Sequence, residues 1–223
     1  MTFDLDLTIG GFYGDIGGIE IYEYNTFNHT IKRSSGPPTC LFIGLSKNED
    51  FRNKFINIYC DYVNDVMSLD RINLIIEDCK ENATELVANS IHRWRANNRT
   101  YYQGYTINKK EFISFLETMR TFFIQRPNYT LIHMKEFFNL TGDFYELTII
   151  KEGNGKIMIN SILPNFIENK WIGKYFYNIP VKIIAVPLDN NTFVEWSGDY
   201  KSNKTTIYIS LEKPMVINGI FKN

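Results

Sequence analysis

The hydrophobic period of the chain changes once, near residue 142, and no other feature limits the fold as much. Between Ser46 and Leu140 apolar residues recur at three- and four-residue spacing, as in Phe51, Phe55, Ile58, Tyr62 and Val66, which is the stripe of an amphipathic helix. From Phe144 onward they alternate in short runs, FYELTII, GKIMIN, VKIIAVPL, TFVEWSG, TTIYISL and MVINGIF, divided by Gly, Asn, Pro and Lys. That is strand patterning. The expected class is α+β, with a helical region over 1–142 and a small all-β module, β-grasp or sandwich-like, over 143–223. About eighty residues suffice for an independent module, and its alternating faces predict that it folds without the helices.

Within the helical region, Ser46 followed by Glu49 predicts a capping box, and Ser68 a second helix start carrying Ile72, Ile75, Ile76 and Cys79. Asn108 with Glu111 repeats the start signal before Phe112, Phe115, Leu116, Met119, Phe122 and Phe123, and the spacing predicts Phe115 and Phe122 to be buried. Arg126-Pro127 predicts a stop, with a last short helix over Ile132, Met134, Phe137 and Phe138. Residues 10–38 are rich in Gly and end on a Pro pair, which predicts a long loop with a short strand at Ile19 to Tyr24. Its glycines form no phosphate-cradling motif, since no GKS or GKT and no strand-GxGxxG-helix context is present.

The first strand-like run, FDLDL, is chemically distinct. Asp4 and Asp6 alternate with Phe3, Leu5 and Leu7, so period-2 geometry sends both carboxylates from one face. A pair of acids so placed suits a cation. Asp15, Glu20, Glu23 and His29 in the following loop read equally as a solvated face, and His92 and His133 as packed or capped helix residues. Trp171, Tyr175 and Trp196 would suit sugar stacking if exposed, although a small module needs such rings for its core.

Several classes are disfavoured. With 24 Lys and Arg against 25 Asp and Glu, the chain has no global field for nucleic acid or anionic lipid. The basic cluster HRWRANNR at 92–99 reads as cations at a helix C-terminus. No apolar run reaches the ~20 residues of a membrane span, and no targeting signal is expected. Cys40, Cys60 and Cys79 form neither a disulfide framework nor a zinc spacing and read as free thiols. Asn-x-Ser/Thr occurs at Asn28, Asn82, Asn98, Asn128, Asn139, Asn190 and Asn203, where composition alone gives about three matches. Glycan acceptors in a secreted protein and an Asn-rich composition both account for the excess.

FDLDLTIGG, FRNKFINIYCDYVNDVMSLDRI, IHRW and FLETMRTFFIQRPNYTLIHMKEFFNL, in that order, resemble the C-terminal half of the CotH kinase family, atypical kinases of spore coats and cell surfaces. The resemblance implies the helical C-lobe of an atypical protein-kinase-like fold. It makes Asp4 the metal-binding aspartate, with Asp6 its close neighbour, and implies Mg2+ or Mn2+ together with ATP. It also implies a protein phosphate acceptor and an extracellular, cell-surface or spore-coat location. The family's ATP-clasping lobe and catalytic aspartate precede this motif, so these 223 residues are expected to be inactive alone. The segment WIGKYFYNIPVKIIAVPLDNNTFVEWSGD with the closing MVINGIF is similar to the divergent bacterial repeat of the InlB B-repeat kind. That likeness implies an alternative function, an adhesion-type surface protein without catalysis.

Overall fold

The computed structural model describes residues 21–33, 36–95 and 109–223. A 3-10 turn at Ile21–Glu23 leads into helices α1 (Thr26–Arg33), α2 (Pro37–Ser46) and α3 (Glu49–Asp61), and a π-helical turn at Tyr62–Val66 extends α3. Helices α4 (Leu69–Arg95) and α5 (Lys109–Phe137) follow. Among the described residues, seven strands complete the α+β fold: β1 (Phe144–Glu152), β2 (Gly155–Ile159), β3 (Lys170–Phe176), β4 (Val181–Pro187), β5 (Thr192–Gly198), β6 (Thr206–Ile209) and β7 (Met215–Lys222).

Local structure departs from the sequence expectations at four places, each for a physical reason. Among the described residues before 38, a 3-10 turn at Ile21–Glu23 and α1 stand where a loop with a strand was expected. Phe27 of α1 stacks on Phe137 with ring centroids 5.2 Å apart, and such burial outweighs weak helix propensity. Ser46 does not cap the helix that follows; it ends α2, where its hydroxyl donates to the Ile43 carbonyl. The cap of α3 is Asn48, whose side chain accepts from the Phe51 N–H at 2.9 Å. Pro127 does not stop α5, which runs through it to Phe137. A proline inside a helix costs about 3 kcal/mol, and here buried residues flank it, Leu116 before and Leu131 and Met134 after. Finally, Phe115 is exposed and Phe122 half-buried. The inward face of α5 carries Phe112, Leu116, Met119 and Phe123 instead, at the i, i+4, i+7, i+11 positions, against Ile72, Ile76 and Cys79 of α4.

The chain packs as two compact units. One comprises the described parts of Met1–Asn25 and Met67–Thr130, the other Thr26–Val66 together with Leu131–Asn223. Secondary structure changes between Phe137 and Phe144, but the compact packing groups α1 to α3 with the strands. In the first unit the α4–α5 pair is held by the small cluster of Ile72, Ile76 and Leu116. On its surface the Arg120 guanidinium donates to Glu77 Oε1 at 2.6 Å, to Glu117 Oε2 at 2.9 Å and to the side-chain Oδ1 of Asn73.

In the second unit the strands form two sheets, ordered β3-β1-β7-β5 and β2-β4-β6. Strand β1 is central, antiparallel to β3 with Ile149 opposite Trp171, and parallel to β7 with Ile149 opposite Ile217. Leu147, Ile149 and Ile217 from one sheet share a core with Ile157, Ile159, Ile183 and Ile207 from the other. Ile56 and Cys60 of α3 and Leu131 and Met134 of α5 are part of that same core. Trp171, Tyr175 and Trp196 are all buried, which leaves no exposed aromatic platform among them. Strand β3 belongs to none of the six alternating runs, yet Trp171, Gly173 and Tyr175 face inward between exposed Lys170, Ile172 and Lys174.

The turn from β1 to β2 depends on one glycine. Gly153 has φ +87, and a Cβ there would overlap the Phe221 carbonyl oxygen of β7. Gly153→Ala is expected to lower stability by about 2 kcal/mol or more, from a disfavoured backbone region and a displaced strand end. Urea unfolding measures this, and a neutral result would contradict the packing of the turn on β7.

Candidate functional site

Asp4 and Asp6, the acids singled out in the sequence, lie outside the described residues, as do Asp15 and Glu20. The described chain begins at Ile21. Its first residues are fastened to α5 within the first unit: the Arg126 guanidinium donates to the carbonyls of Tyr22 at 2.9 Å and Tyr24 at 2.6 Å. The Tyr129 hydroxyl donates to Glu23 Oε1 at 2.7 Å, and Tyr22 and Tyr129 rings lie 5.7 Å apart. Hydrogen bonding to the Glu23 carboxylate holds the Tyr129 phenol above its ordinary pKa. Arg126 and Tyr129 are three positions apart, so one face of α5 presents both. Glu23 is therefore a partner in an anchoring contact, and His29 is exposed on α1. Among the described residues no group of three or more His, Cys, Asp or Glu is arranged to hold a metal ion.

The most concentrated polar chemistry in the described residues surrounds Asp61, the last residue of α3, which is completely buried. Its Oδ1 accepts from Tyr175 OH at 2.7 Å and from Asn160 Nδ2 at 3.0 Å. Its Oδ2 accepts from the Ser161 hydroxyl at 2.7 Å and the Ser161 N–H at 3.1 Å. Four donors thus converge on one carboxyl group, one from β3 of the first sheet and three from the turn that follows β2 of the second. Nearby, the Asn64 carboxamide donates to the Lys174 carbonyl at 3.0 Å and accepts from the Lys174 N–H at 2.9 Å. That pairing imitates a neighbouring strand and closes the open edge of β3. The π-helical turn sets Asn64 there, and Gly173 keeps the approach open, since a Cβ would stand 2.9 Å from Asn64 Nδ2. Asn57 completes the attachment by donating to the Pro180 carbonyl at 2.7 Å.

This arrangement holds structure together and has no free reactive group. Burial pushes the Asp61 carboxyl above its ordinary pKa, and its hydrogen bonds oppose that rise without cancelling it. Burial and the adjacent Asp61 charge drive the Cys60 thiol far up, so it stays protonated, and Tyr175 is raised for the same reasons. A folded-state pKa above the unfolded value means that the native state binds the proton more readily. Asp61's contribution is therefore complete below the ordinary aspartate value, about 3.9, and is lost as pH rises through the folded value. Urea unfolding of the parent chain and of Asp61→Asn should show a gap that narrows between mildly acidic and neutral pH. A gap that widens with pH would refute the direction.

The sequence flagged neither Asp61 nor Asn64, because both sit in a helix stretch where a polar residue normally faces water. The only available signal was that CDYVND interrupts an apolar stripe with Asp61, Asn64 and Asp65 just before a new helix start. A family model described as CotH kinase protein matches residues 1–130, more than half of the chain. The chain belongs to the CotH kinase family. It is kinase-like on that ground, and the matched CotH region contains FDLDLTIGG, α1 to α4, and α5 as far as Thr130. Its α3 is the helix that carries Asp61 into the strand-bearing unit. No curated protein and no solved structure matches the chain. No helix among the described residues is long and apolar enough to cross a membrane.

Proposed function

We propose that this chain supplies the metal-binding strand and helical C-lobe of an ATP-dependent protein kinase of the CotH type, with a small β module of the bacterial-repeat kind over 143–223. The observation that carries the reading is the family match over 1–130, because it includes Asp4-Leu5-Asp6. The donor chemistry fits: two carboxylates offer only hard oxygen ligands, which suit Mg2+ or Mn2+. Bound there, such an ion would bridge protein and nucleotide phosphates and offset their charge. Asp4 is the proposed ligand and Asp6 its supporting neighbour.

Phosphoryl transfer needs several groups at once: a phosphate cradle, a cationic clamp, metal, and a base that orients the acceptor. The acidic pair is one of these. The 223 residues alone are expected to transfer no phosphate, whereas a chain preceded by a CotH-type nucleotide lobe and catalytic loop should phosphorylate a protein acceptor. Transfer of radiolabelled phosphate from ATP tests both statements. Robust transfer by the 223 residues, or none by the longer chain, overturns the reading. A surface or spore-coat location belongs to the same proposal.

A further inference from the structure

We propose that Asn139, Asn190 and Asn203 carry N-linked glycans, so that this protein passes through a secretory compartment that assembles them. All seven Asn-x-Ser/Thr matches in the chain are Asn-x-Thr and none is Asn-x-Ser. From the Asn, Thr and Ser contents, chance would give about two of the first and about one of the second. An Asn-rich composition raises both kinds together and does not select threonine. Acceptor chemistry does select it: the hydroxyl two residues on must engage the acceptor amide, and a β-branched side chain holds that hydroxyl in fewer orientations.

The structure separates these asparagines from those that build the fold. The carboxamides of Asn57, Asn64 and Asn160 bond to backbone or to Asp61, and none of the three lies in the motif. The six described motif asparagines, Asn28, Asn82, Asn128, Asn139, Asn190 and Asn203, are all exposed. Three lie on helices, where Thr84 and Thr130 are buried. The other three lie in turns, with Thr141, Thr192 and Thr205 exposed beside them. Asn139 has φ 49 and follows α5, Asn190 lies in the turn that the Asn191 N–H closes on Leu188, and Asn203 lies in the loop paired to Trp196 through Ser202. A glycan at any of them would project into water without displacing a side chain.

In the transfer, the anomeric carbon of an oligosaccharide on a lipid pyrophosphate bonds to the asparagine Nδ2. The carbon–oxygen bond to the pyrophosphate breaks, the amide gives up one proton, and the lipid pyrophosphate leaves. The amide keeps one N–H. No redox partner is needed.

The test uses the full protein isolated from the cells that make it, treated with peptide N-glycosidase in heavy-oxygen water and mapped by mass spectrometry. Each occupied asparagine becomes aspartate carrying the heavy label, and the label is expected at positions 139, 190 and 203. Unmodified asparagine at all three overturns the proposal and leaves chance as the source of the motifs. Thr141→Val, Thr192→Val and Thr205→Val, made in the same cells, should each remove one glycan's mass from the intact protein. Mass that persists after a given substitution overturns that site. Failure here leaves the kinase reading untouched, because the label does not depend on phosphoryl transfer.

Discussion

Asp61→Ala is expected to lower the stability of the strand-bearing unit by about 3–5 kcal/mol, a large fraction of the about 5–15 kcal/mol that holds a domain folded. The alanine leaves four donors facing a cavity: Tyr175 OH, Asn160 Nδ2, and the Ser161 hydroxyl and N–H. Tyr175 is fully buried and cannot recover its bond from water without opening the core. Losing the buried carboxylate also removes its own desolvation cost, which limits the effect but does not reverse it. Asp61→Asn should cost less, because one acceptor oxygen remains, yet more than nothing, because its NH2 then faces other donors. Urea unfolding followed through buried Trp171 and Trp196 reads both variants. A loss under about 1 kcal/mol for Asp61→Ala would mean that the knot does not join helix to sheets. The same contacts bear on residues 143–223 expressed alone: without Asp61, Asn64, Ile56 and Cys60, the strands are expected to be less stable than in the full chain.

Asp4→Ala is expected to abolish phosphoryl transfer in a chain that carries the nucleotide lobe, a loss of about a hundredfold or more, while the fold is retained. The residue is proposed to ligate the ion that spreads charge off the transferring phosphoryl group, so its removal acts on the transition state. Asp6→Ala should lower the rate less, since a neighbouring carboxylate adds field at the ion without being the primary ligand. Higher metal concentration should partly rescue Asp6→Ala and leave Asp4→Ala unchanged. Initial rates against Mg2+ and Mn2+ concentration, with unfolding curves as a control, separate lost chemistry from lost structure. An Asp4→Ala chain with parental rate would move the metal assignment elsewhere.

What could be read from the sequence was whatever local periodicity encodes. Alternation in FYELTII and GKIMIN marks β1 and β2, and the spacing of Ile72, Ile76 and Cys79 marks the face of α4, because a side chain's direction repeats with its own backbone. The family was legible for a related reason: FDLDLTIGG and the segments after it lie in order along the chain, and order survives without coordinates. The phase of α5 was not legible, since Phe115 and Leu116 are both apolar and only the neighbouring helix decides that Leu116 turns inward. Nor was its continuity, because the cost of Pro127 is local while the burial of Leu131 and Met134 that offsets it is not. The same limit hid the parallel pairing of β1 with β7, strands separated by most of the module. Above all it hid Asp61: its four donors stand about a hundred positions away in the chain, and only the closed tertiary structure turns a polar residue at a helix end into the acceptor that binds α3 to both sheets.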